Sequence, residues 1–369
     1  MKPTLQQFYD YCLKNSLPFA LYRVSGTKEV KVVAQKNSAL KKVPSGKGLL
    51  YAKGFMFAPF IEDENFSKLI IAADIFASEE KLPWLNFAEK SEVVEIQKGK
   101  FKLKEASESG YKKQVKKISR EIGKGHFTKV VAARVVKTEK PKGFKAVTFF
   151  KKLCKKYPAA FTSLVYTPQY GLWIGASPEI LLNVDSTGFK TYSLAGTMSN
   201  EGVIKSSFAD LGIWGEKEKE EQKIVSDYII KAFSAVSNEP AIIKGPETVK
   251  AGNLLHLRTT FTYDSIPHSH WQQVVEQLHP TPAVAGLPKK EAIDFILKTE
   301  KAPRGFYTGY LGPLNLDRQI NLYVNLRCMK VLKNKLALFV GCGITAGSNP
   351  QNEWLESVQK TKTLLSVLK

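Results

Sequence analysis

The stretch Phe339 to Lys369 reads FVGCGITAGSNPQNEWLESVQKTKTLLSVLK. The apolar, β-branched and aromatic run Leu336 to Val340 leads into Gly341-Cys342-Gly343, where two glycines predict a turn. Asn349-Pro350 then predicts an N-cap and a first-turn proline, so the reading is strand, glycine turn, helix. On the helix Glu353, Glu356 and Lys360 fall at i, i+3 and i+7, which puts two carboxylates and an ammonium on one face. Trp354, Val358, Thr361 and Leu365 mark the face expected to pack on the body of the protein. A hard divalent cation suits the carboxylates, and the lysine suits an anion held beside it. A solvated helix with ordinary Glu/Lys pairs fits the same residues.

The rest of the chain bounds these alternatives. With 369 residues, 43% hydrophobic and 11% aromatic, it can bury a large core as one big domain or two. The opening MKPTLQQFYDYCLKNSLPFA carries charges where a signal peptide needs an apolar run, and no stretch reaches bilayer-spanning length. A cytoplasmic protein is expected. Cys12, Cys154, Cys328 and Cys342 have neither CxxC nor Cys/His spacing, so they read as reduced thiols in packed positions. The formal net charge of +21 invites a nucleic-acid reading. However, the lysines are spread from Lys2 to Lys369 without an Arg-rich tract, zinc finger or RNP signature, so a solvated lysine surface is the preferred reading. Positive potential would still gather a small anionic substrate.

Residues 1–105 alternate apolar runs (Phe19 to Val24, Leu49 to Ile61, Ser67 to Ile75) with breaks such as Lys41 to Gly48, and the polar Phe101 to Glu108 marks a loop before the portion 106–369. Ser109 to Ile122 is an amphipathic helix with Tyr111, Val115, Ile118 and Ile122 on one side, closed by Gly123 and Gly125. Lys129 to Val136 reads as a strand on which Lys129 shares a face with Val131, Ala133 and Val135. A lysine on an apolar face would lose charge to desolvation, as a general base requires, unless its head reaches water from the strand end. Phe161 to Tyr166 and Gly171 to Ile174 form a hairpin. Glu179 follows it, between a turn and the apolar Ile180 to Leu182; a poorly hydrated carboxyl there would hold its proton and act as an acid, whereas one reaching solvent would not.

Ser193 to Thr197 is a strand ending in a turn able to offer N–H groups to an anion. Between Trp214 and Phe233 a charged helix repeats the i, i+3 spacing at Glu218 and Glu221; two such helices face to face would make a four-carboxylate pocket. Val249 to Tyr263 reads as one long strand, with Leu255, Leu257 and Phe261 on one face and His256, Arg258 and Thr260 on the other. His256 suits either a substrate oxygen or a structural hydrogen bond. After a helix around Trp271 to Leu278, the segment 278–288 has three prolines and a glycine, a stiff loop of the kind that lines pockets. Gly305 to Asn315, Ile320 to Leu332 and Lys335 to Thr345 read as three antiparallel strands, with turns at 316–318 and 333–334 and Arg327 on the middle strand.

Taken in order, KVVAAR (129–134), GASPEILL (175–182), LAGT (194–197), LHPTPAVAGLP (278–288) and GCGITAGSNPQNEWLES (341–357) resemble the chorismate-utilising enzymes, and among them the isochorismate synthases. The resemblance runs from about Ser109 to the C-terminus, with residues 1–105 as a variable N-terminal portion of the same domain. It implies an α/β (α+β) fold: one large domain of extended antiparallel sheets flanked by helices. It also implies Mg2+-dependent conversion of chorismate to isochorismate, with Lys129 as the base that activates water and Glu179 as the acid. Glu221 and Glu356 would ligate Mg2+ with Glu218 and Glu353 as direct or water-mediated partners. Gly196, Thr197, His256, Ala283, Tyr307, Arg327, Gly341, Gly343 and Lys360 would line the substrate. Lys129 and Ala195 separate the chain from ammonia-using and lysine-nucleophile relatives. Gln222 beside Glu221, and Met198 after the AGT turn, depart from the common pattern. A salicylate synthase that also eliminates pyruvate is the near alternative, and a basic nucleic-acid-binding protein the distant one. A monomer is expected, and no residue reports whether the product feeds menaquinone, siderophore or salicylate synthesis.

Overall fold

The computed structural model describes residues 2–43, 47–85, 103–199, 211–251 and 254–368. In chain order the first strands are β1 (Phe19–Arg23), β2 (Lys31–Ala34), β3 (Lys41–Lys42), β4 (Gly54–Ala58), β5 (Leu69–Ala72) and β6 (Ile75–Ser78). The next are β7 (Lys129–Glu139), β8 (Phe161–Thr167), β9 (Gly171–Ser177), β10 (Ile180–Asp185), β11 (Gly188–Ser199) and β12 (Ile242–Ala251). The last are β13 (Leu254–Tyr263), β14 (Gly286–Leu287), β15 (Tyr310–Leu314), β16 (Ile320–Val324), β17 (Cys328–Val331) and β18 (Lys335–Ile344). The helices are α1 (Leu5–Lys14), α2 (Lys47–Leu50), α3 (Glu108–Gly123), α4 (Ala146–Lys156), α5 (Glu216–Ser234), α6 (Trp271–Leu278), α7 (Lys289–Thr299) and α8 (Pro350–Leu368). No helix among the described residues is long and apolar enough to cross a membrane.

Two nine-stranded sheets, ordered β14-β7-β18-β17-β9-β8-β1-β2-β6 and β12-β13-β11-β10-β16-β15-β4-β5-β3, pack face to face. Strand alternation decides what lies between them. On β1, Tyr22 points inward to join Phe161, Trp173 and Phe339 of the first sheet and Phe55, Phe57 and Tyr323 of the second. Stacked rings such as Phe161 on Tyr323, 4.1 Å apart, make this an aromatic layer. Leu21 points the other way, into a core shared with α1, α4 and α8, while Leu182, Phe261 and Leu322 face α5 and α6. Strands before residue 85 complete both sheets, so the chain is a single mixed α/β domain.

The polypeptide crosses between the sheets at two places that matter for the site. β9 belongs to the first sheet and β10 to the second, with Pro178-Glu179 as the crossing; β16 returns to β17 through 325–327. Ile320 to Leu332 is therefore not one strand, because the backbone turns left-handed at Arg327 (φ 48°). The expected three-strand run divides accordingly into a β15/β16 pair and a β17/β18 pair in separate sheets. The crossings are tied together: the Ser177 hydroxyl and Val324 carbonyl bond, Val324 N–H donates to Glu179 O at 3.0 Å, and Ala176 N–H donates to Arg327 O at 3.1 Å.

Other expectations shift by register. The expected long strand Val249 to Tyr263 is the end of β12 and the whole of β13, paired as a hairpin. The strand through Ser193 does not stop at Thr197; it continues to Ser199 past an irregularity between Ala195 and Met198, where Gly196 adopts φ 69°. Gly341 to Gly343 is no turn. It lies within β18, opposite Ala133, Ala132 and Val131 of β7. Of the expected polar breaks, Phe101, Lys102 and residues 44–46 lie outside the described residues.

Candidate active site

The N-terminus of α8 forms as read: the Asn349 side-chain oxygen accepts from Gln351 N–H at 2.8 Å and Asn352 N–H at 3.3 Å. Its charged face turns inward, beside Gly341, as the cation-and-anion alternative has it and the solvated one does not. Glu353, Ser357, Lys360 and Leu364 are buried, whereas Leu355 is exposed and Trp354 half-buried. Pairing makes the buried charge tolerable: Lys217 of α5 lies 2.6 Å from Glu353, and Lys360 lies 2.6 Å from Glu356 while donating to Gly341 O at 2.8 Å. Trp354 instead takes the Arg134 guanidinium over its ring, 4.0 Å from the centroid.

One cavity gathers most of the residues named from the sequence. Glu179, Gly196, Thr197, Glu221, His256, Ala283, Tyr307, Arg327, Gly341, Gly343 and Lys360 all line it. Lys129 lies just behind the wall, fully buried, with Nζ 2.6 Å from Glu221 Oε1. The expectation that desolvation alone governs Lys129 thus gives way to an ion pair. Gly343 makes room for that pair, since a Cβ there would stand 2.3 Å from Glu221 Oε1 and 2.7 Å from Lys129 Cε. Burial works to raise the Glu221 pKa, but Lys129 outweighs it and holds the group below the ordinary carboxylate value. The second carboxylate oxygen accepts from Gly196 N–H at 3.3 Å.

Glu179, at the first sheet crossing, is buried without a carboxylate-neutralising contact. Burial pushes its pKa up to about 8, against the opposing pull of Lys129, Arg327 and Lys360, so it holds a proton at neutral pH. His256 behaves oppositely. Burial, reinforced by the Arg327 charge, brings its pKa down to about 3, leaving a neutral ring. Its Nδ1 lies 2.8 Å from Gly196 O, which can only accept, so Nδ1 carries the hydrogen and Nε2 keeps a lone pair. That Nε2 is buried and has no hydrogen-bond partner among the described residues. Arg327, at the second crossing, has no hydrogen bond or ion pair from its guanidinium among the described residues, leaving its donors open to an anion.

The residues fit a hard cation at the α5/α8 end of the cavity. Oxygens of Glu353 and Glu356 and the Cys342 sulfur lie within 4.8 Å of one another. Glu353 Oε2 is buried without a hydrogen-bond partner among the described residues, and burial together with the Glu356 charge raises the Glu353 pKa. A buried and a half-buried carboxylate that repel and leave an oxygen unsatisfied match the oxygen-rich donor set of a magnesium-type ion. Glu221 is close by but occupied by Lys129. Glu218 folds toward the start of its own helix, its carboxylate near Gly215, so the four carboxylates do not meet at one point.

Gln222, Arg304 and Glu300 support the site in ways the sequence did not assign them. Gln222 accepts from Ala195 N–H at 3.0 Å and donates to the Ser193 and Thr259 hydroxyls at 2.7 and 2.9 Å, fixing the backbone that delivers Gly196. Arg304 pairs with Glu300, donates to Val284 O at 2.6 Å and Val131 O at 2.9 Å, and so clamps the 278–288 loop onto β7. The Glu/Arg spacing was visible at i, i+4, but nothing local distinguishes a buried clamp from a surface pair.

Comparison with known proteins agrees with this architecture. Isochorismate synthase EntC of Escherichia coli K12 is 27% identical over 241 residues, 65% of this chain and 62% of that protein. Isochorismate synthase MenF of the same strain is 32% identical over 199 residues, 53% of this chain and 45% of that protein. The match thus spans less than two thirds of either relative. The crystal structure of a putative 2,3-dihydroxybenzoate-specific isochorismate synthase, DhbC from Bacillus anthracis, superposes with a TM-score of 0.75 at 23% identity, over 96% of this chain and 95% of that one, a likeness of fold. Residues 60–369, which hold every residue of the cavity, match the model described as chorismate binding enzyme, and on that extent the chain belongs to the chorismate-binding enzyme family.

Proposed function

We propose that the protein is an Mg2+-dependent isochorismate synthase, adding water at C2 of chorismate and releasing the C4 hydroxyl. The observation that carries this reading is the pairing, around one cavity, of a proton-holding carboxyl, Glu179, with the Lys129–Glu221 ion pair. Lys129, once it has released its own proton to solvent, takes one from water, and Glu221 2.6 Å away stabilises the ammonium that results. Glu179 gives its proton to the departing C4 oxygen, so one proton is taken up and one released in each turnover. Arg327 and Lys360 supply donors for the substrate carboxylates, with Tyr307 and Ala283 shaping the wall. The lone pair on His256 Nε2 accepts from a substrate hydroxyl.

Magnesium, held by Glu356 and Glu353 with Glu221 and Glu218 nearby, would supply a positive charge for the ring carboxylate. The relatives named isochorismate synthases support the same reading. Incubating the protein with chorismate and Mg2+ and separating the products tests it. Isochorismate with little pyruvate, detected by coupling to lactate dehydrogenase, is the expected result. Stoichiometric pyruvate would make the protein a salicylate synthase instead. Turnover that survives EDTA would remove the metal from the proposal.

A further inference from the structure

Beside the active-site cavity lies a larger hollow that the chemistry above leaves without a role. The active-site cavity measures about 60 Å3 and its neighbour about 300 Å3. Pro178 and Arg327 belong to both walls, so the guanidinium stands between the two spaces. The remaining wall comes from the loop after α4, from Ala176 of β9 and from Thr363, almost one helical turn beyond Lys360. It is mostly apolar, yet it carries Lys156, Lys250 and Arg327 and, among the described residues, no carboxylate.

Among the described residues no carboxylate cancels these charges. Lys156 donates to the Ser366 hydroxyl at 2.7 Å and the Ser366 carbonyl at 3.3 Å, neutral partners that leave its charge in place. Lys250 is exposed on β12, and neither it nor Arg327 joins an ion pair among the described residues. Elsewhere around the site every lysine of the α5/α8 interface has its own carboxylate, as Lys217 has Glu353 and Lys360 has Glu356. Three unpaired cations on an apolar wall suit a small ring bearing carboxylates, with the ring on Tyr157, Pro158 and Ala160 and the anionic groups at the lysines. Cations that run from an exposed lysine to a half-buried guanidinium also set a direction. A carboxylate met first by a mobile ammonium can exchange it for a planar, bidentate partner at the inner end.

We propose that this hollow is an entry vestibule, in which a cyclic dicarboxylate is captured by Lys156 and Lys250 before it passes Arg327 into the active-site cavity. The inference rests on the reading of chorismate as substrate. It assigns Lys156 and Lys250 to capture, away from the proton transfers.

The test compares wild-type protein, Lys156→Gln/Lys250→Gln, and Lys142→Gln/Lys145→Gln, which removes the same charge from a separate groove beside α4. Initial rates with chorismate and Mg2+ are measured from about 20 mM to about 200 mM added salt, a range over which exposed charges become screened. The vestibule pair should lower kcat/KM by about 5- to 10-fold at low salt, converge toward wild type at high salt and leave kcat within about twofold. The control pair should stay near wild type throughout. Ala159→Trp, which fills the hollow from an exposed loop position, should lower kcat/KM by about tenfold or more at any salt concentration with kcat kept. Equal losses in the two lysine pairs would mean that net charge alone steers the substrate, and a kcat that falls with kcat/KM would mean damage to the active site. Either result, or an unchanged Ala159→Trp, overturns the vestibule. If wild-type protein itself does not consume chorismate, the fault lies with the substrate reading instead.

Discussion

Replacing Gly343 by alanine puts the arrangement of Lys129 and Glu221 to a direct test. A Cβ at this position would lie 2.3 Å from Glu221 Oε1, 2.7 Å from Lys129 Cε and 3.2 Å from Lys129 Nζ. An unstrained carbon–oxygen contact needs about 3.3 Å, so the carboxylate must retreat by roughly 1 Å. Gly343 is extended within β18, a conformation alanine adopts freely, and the crowded atoms are the ends of flexible side chains. The fold should therefore absorb the change while the pair moves. A displacement of that size in a catalytic group costs about 100-fold in rate, or about 2.7 kcal/mol of transition-state stabilisation. Chorismate consumption at saturating Mg2+ should show a kcat/KM lower by about that factor, with a Tm within a few degrees of wild type. Gly347→Ala, where a Cβ would have no atom within 4 Å, serves as the control and should be unaffected. A Gly343→Ala protein that keeps its activity within about threefold would show that the glycine is not there to clear space for the pair. A large fall in Tm would refute the claim that the disturbance is local.

Glu179 sets the alkaline side of the pH profile: its proton is lost as pH rises through about 8, so kcat/KM should fall tenfold per unit above that. A profile flat through about pH 9 would remove it as the acid. Glu179→Gln should bind chorismate, detected by calorimetry, without converting it. Using that variant to hold unreacted chorismate, Mg2+ should bind at least about tenfold more tightly than without it, and equal affinities would contradict the charge balance described below. Arg304→Met strands Glu300 in the interior and should cost about 3–5 kcal/mol, read as a lower urea midpoint with an unchanged slope. A shift under about 1 kcal/mol would mean that the clamp is not needed for stability.

What the sequence made legible was whatever repeats locally. Tyr111, Val115, Ile118 and Ile122 are buried along α3 as their spacing requires, and Glu179 is as poorly hydrated as its place before an apolar run implies. What it hid depends on partners far along the chain. For the charged stripe of α8 a cation pocket and a solvated face both stayed open, because Glu353 and Lys360 give no sign of Lys217, 136 residues away, or of the Gly341 carbonyl. Strand periodicity likewise says which face a residue takes and nothing about which sheet it joins. Ile320 to Leu332 therefore read as continuous although the chain changes sheets at Arg327, and both crossings deliver a residue to the cavity. Gly341 and Gly343 suggested a turn because glycine serves turns and close approaches alike. Here the requirement is close approach, to Tyr307 Oη and to the Lys129–Glu221 pair.

Charge balance around the cavity explains why cation and substrate must arrive as partners. Lys129, Lys217 and Lys360 each meet a carboxylate, Glu221, Glu353 and Glu356 in turn, while Arg327 meets none among the described residues. With Glu179 protonated, these four cations face these three carboxylates and the set carries one net positive charge, the Glu218 carboxylate being turned away to the start of α5. A divalent cation entering alone would raise that to three in a largely desolvated space. A dicarboxylate entering alone would instead turn the balance negative. Together they return it to one. At an effective dielectric of about 20, a unit charge pair roughly 8 Å apart is worth about 2 kcal/mol, and a divalent ion facing a carboxylate about twice that. Even after discounting for water in the cavity, this exceeds the 1.4 kcal/mol that corresponds to about a tenfold change in affinity. The coupling must act in both directions, so the lysines that hold the carboxylates apart from bulk solvent also make the empty site a poor trap for magnesium.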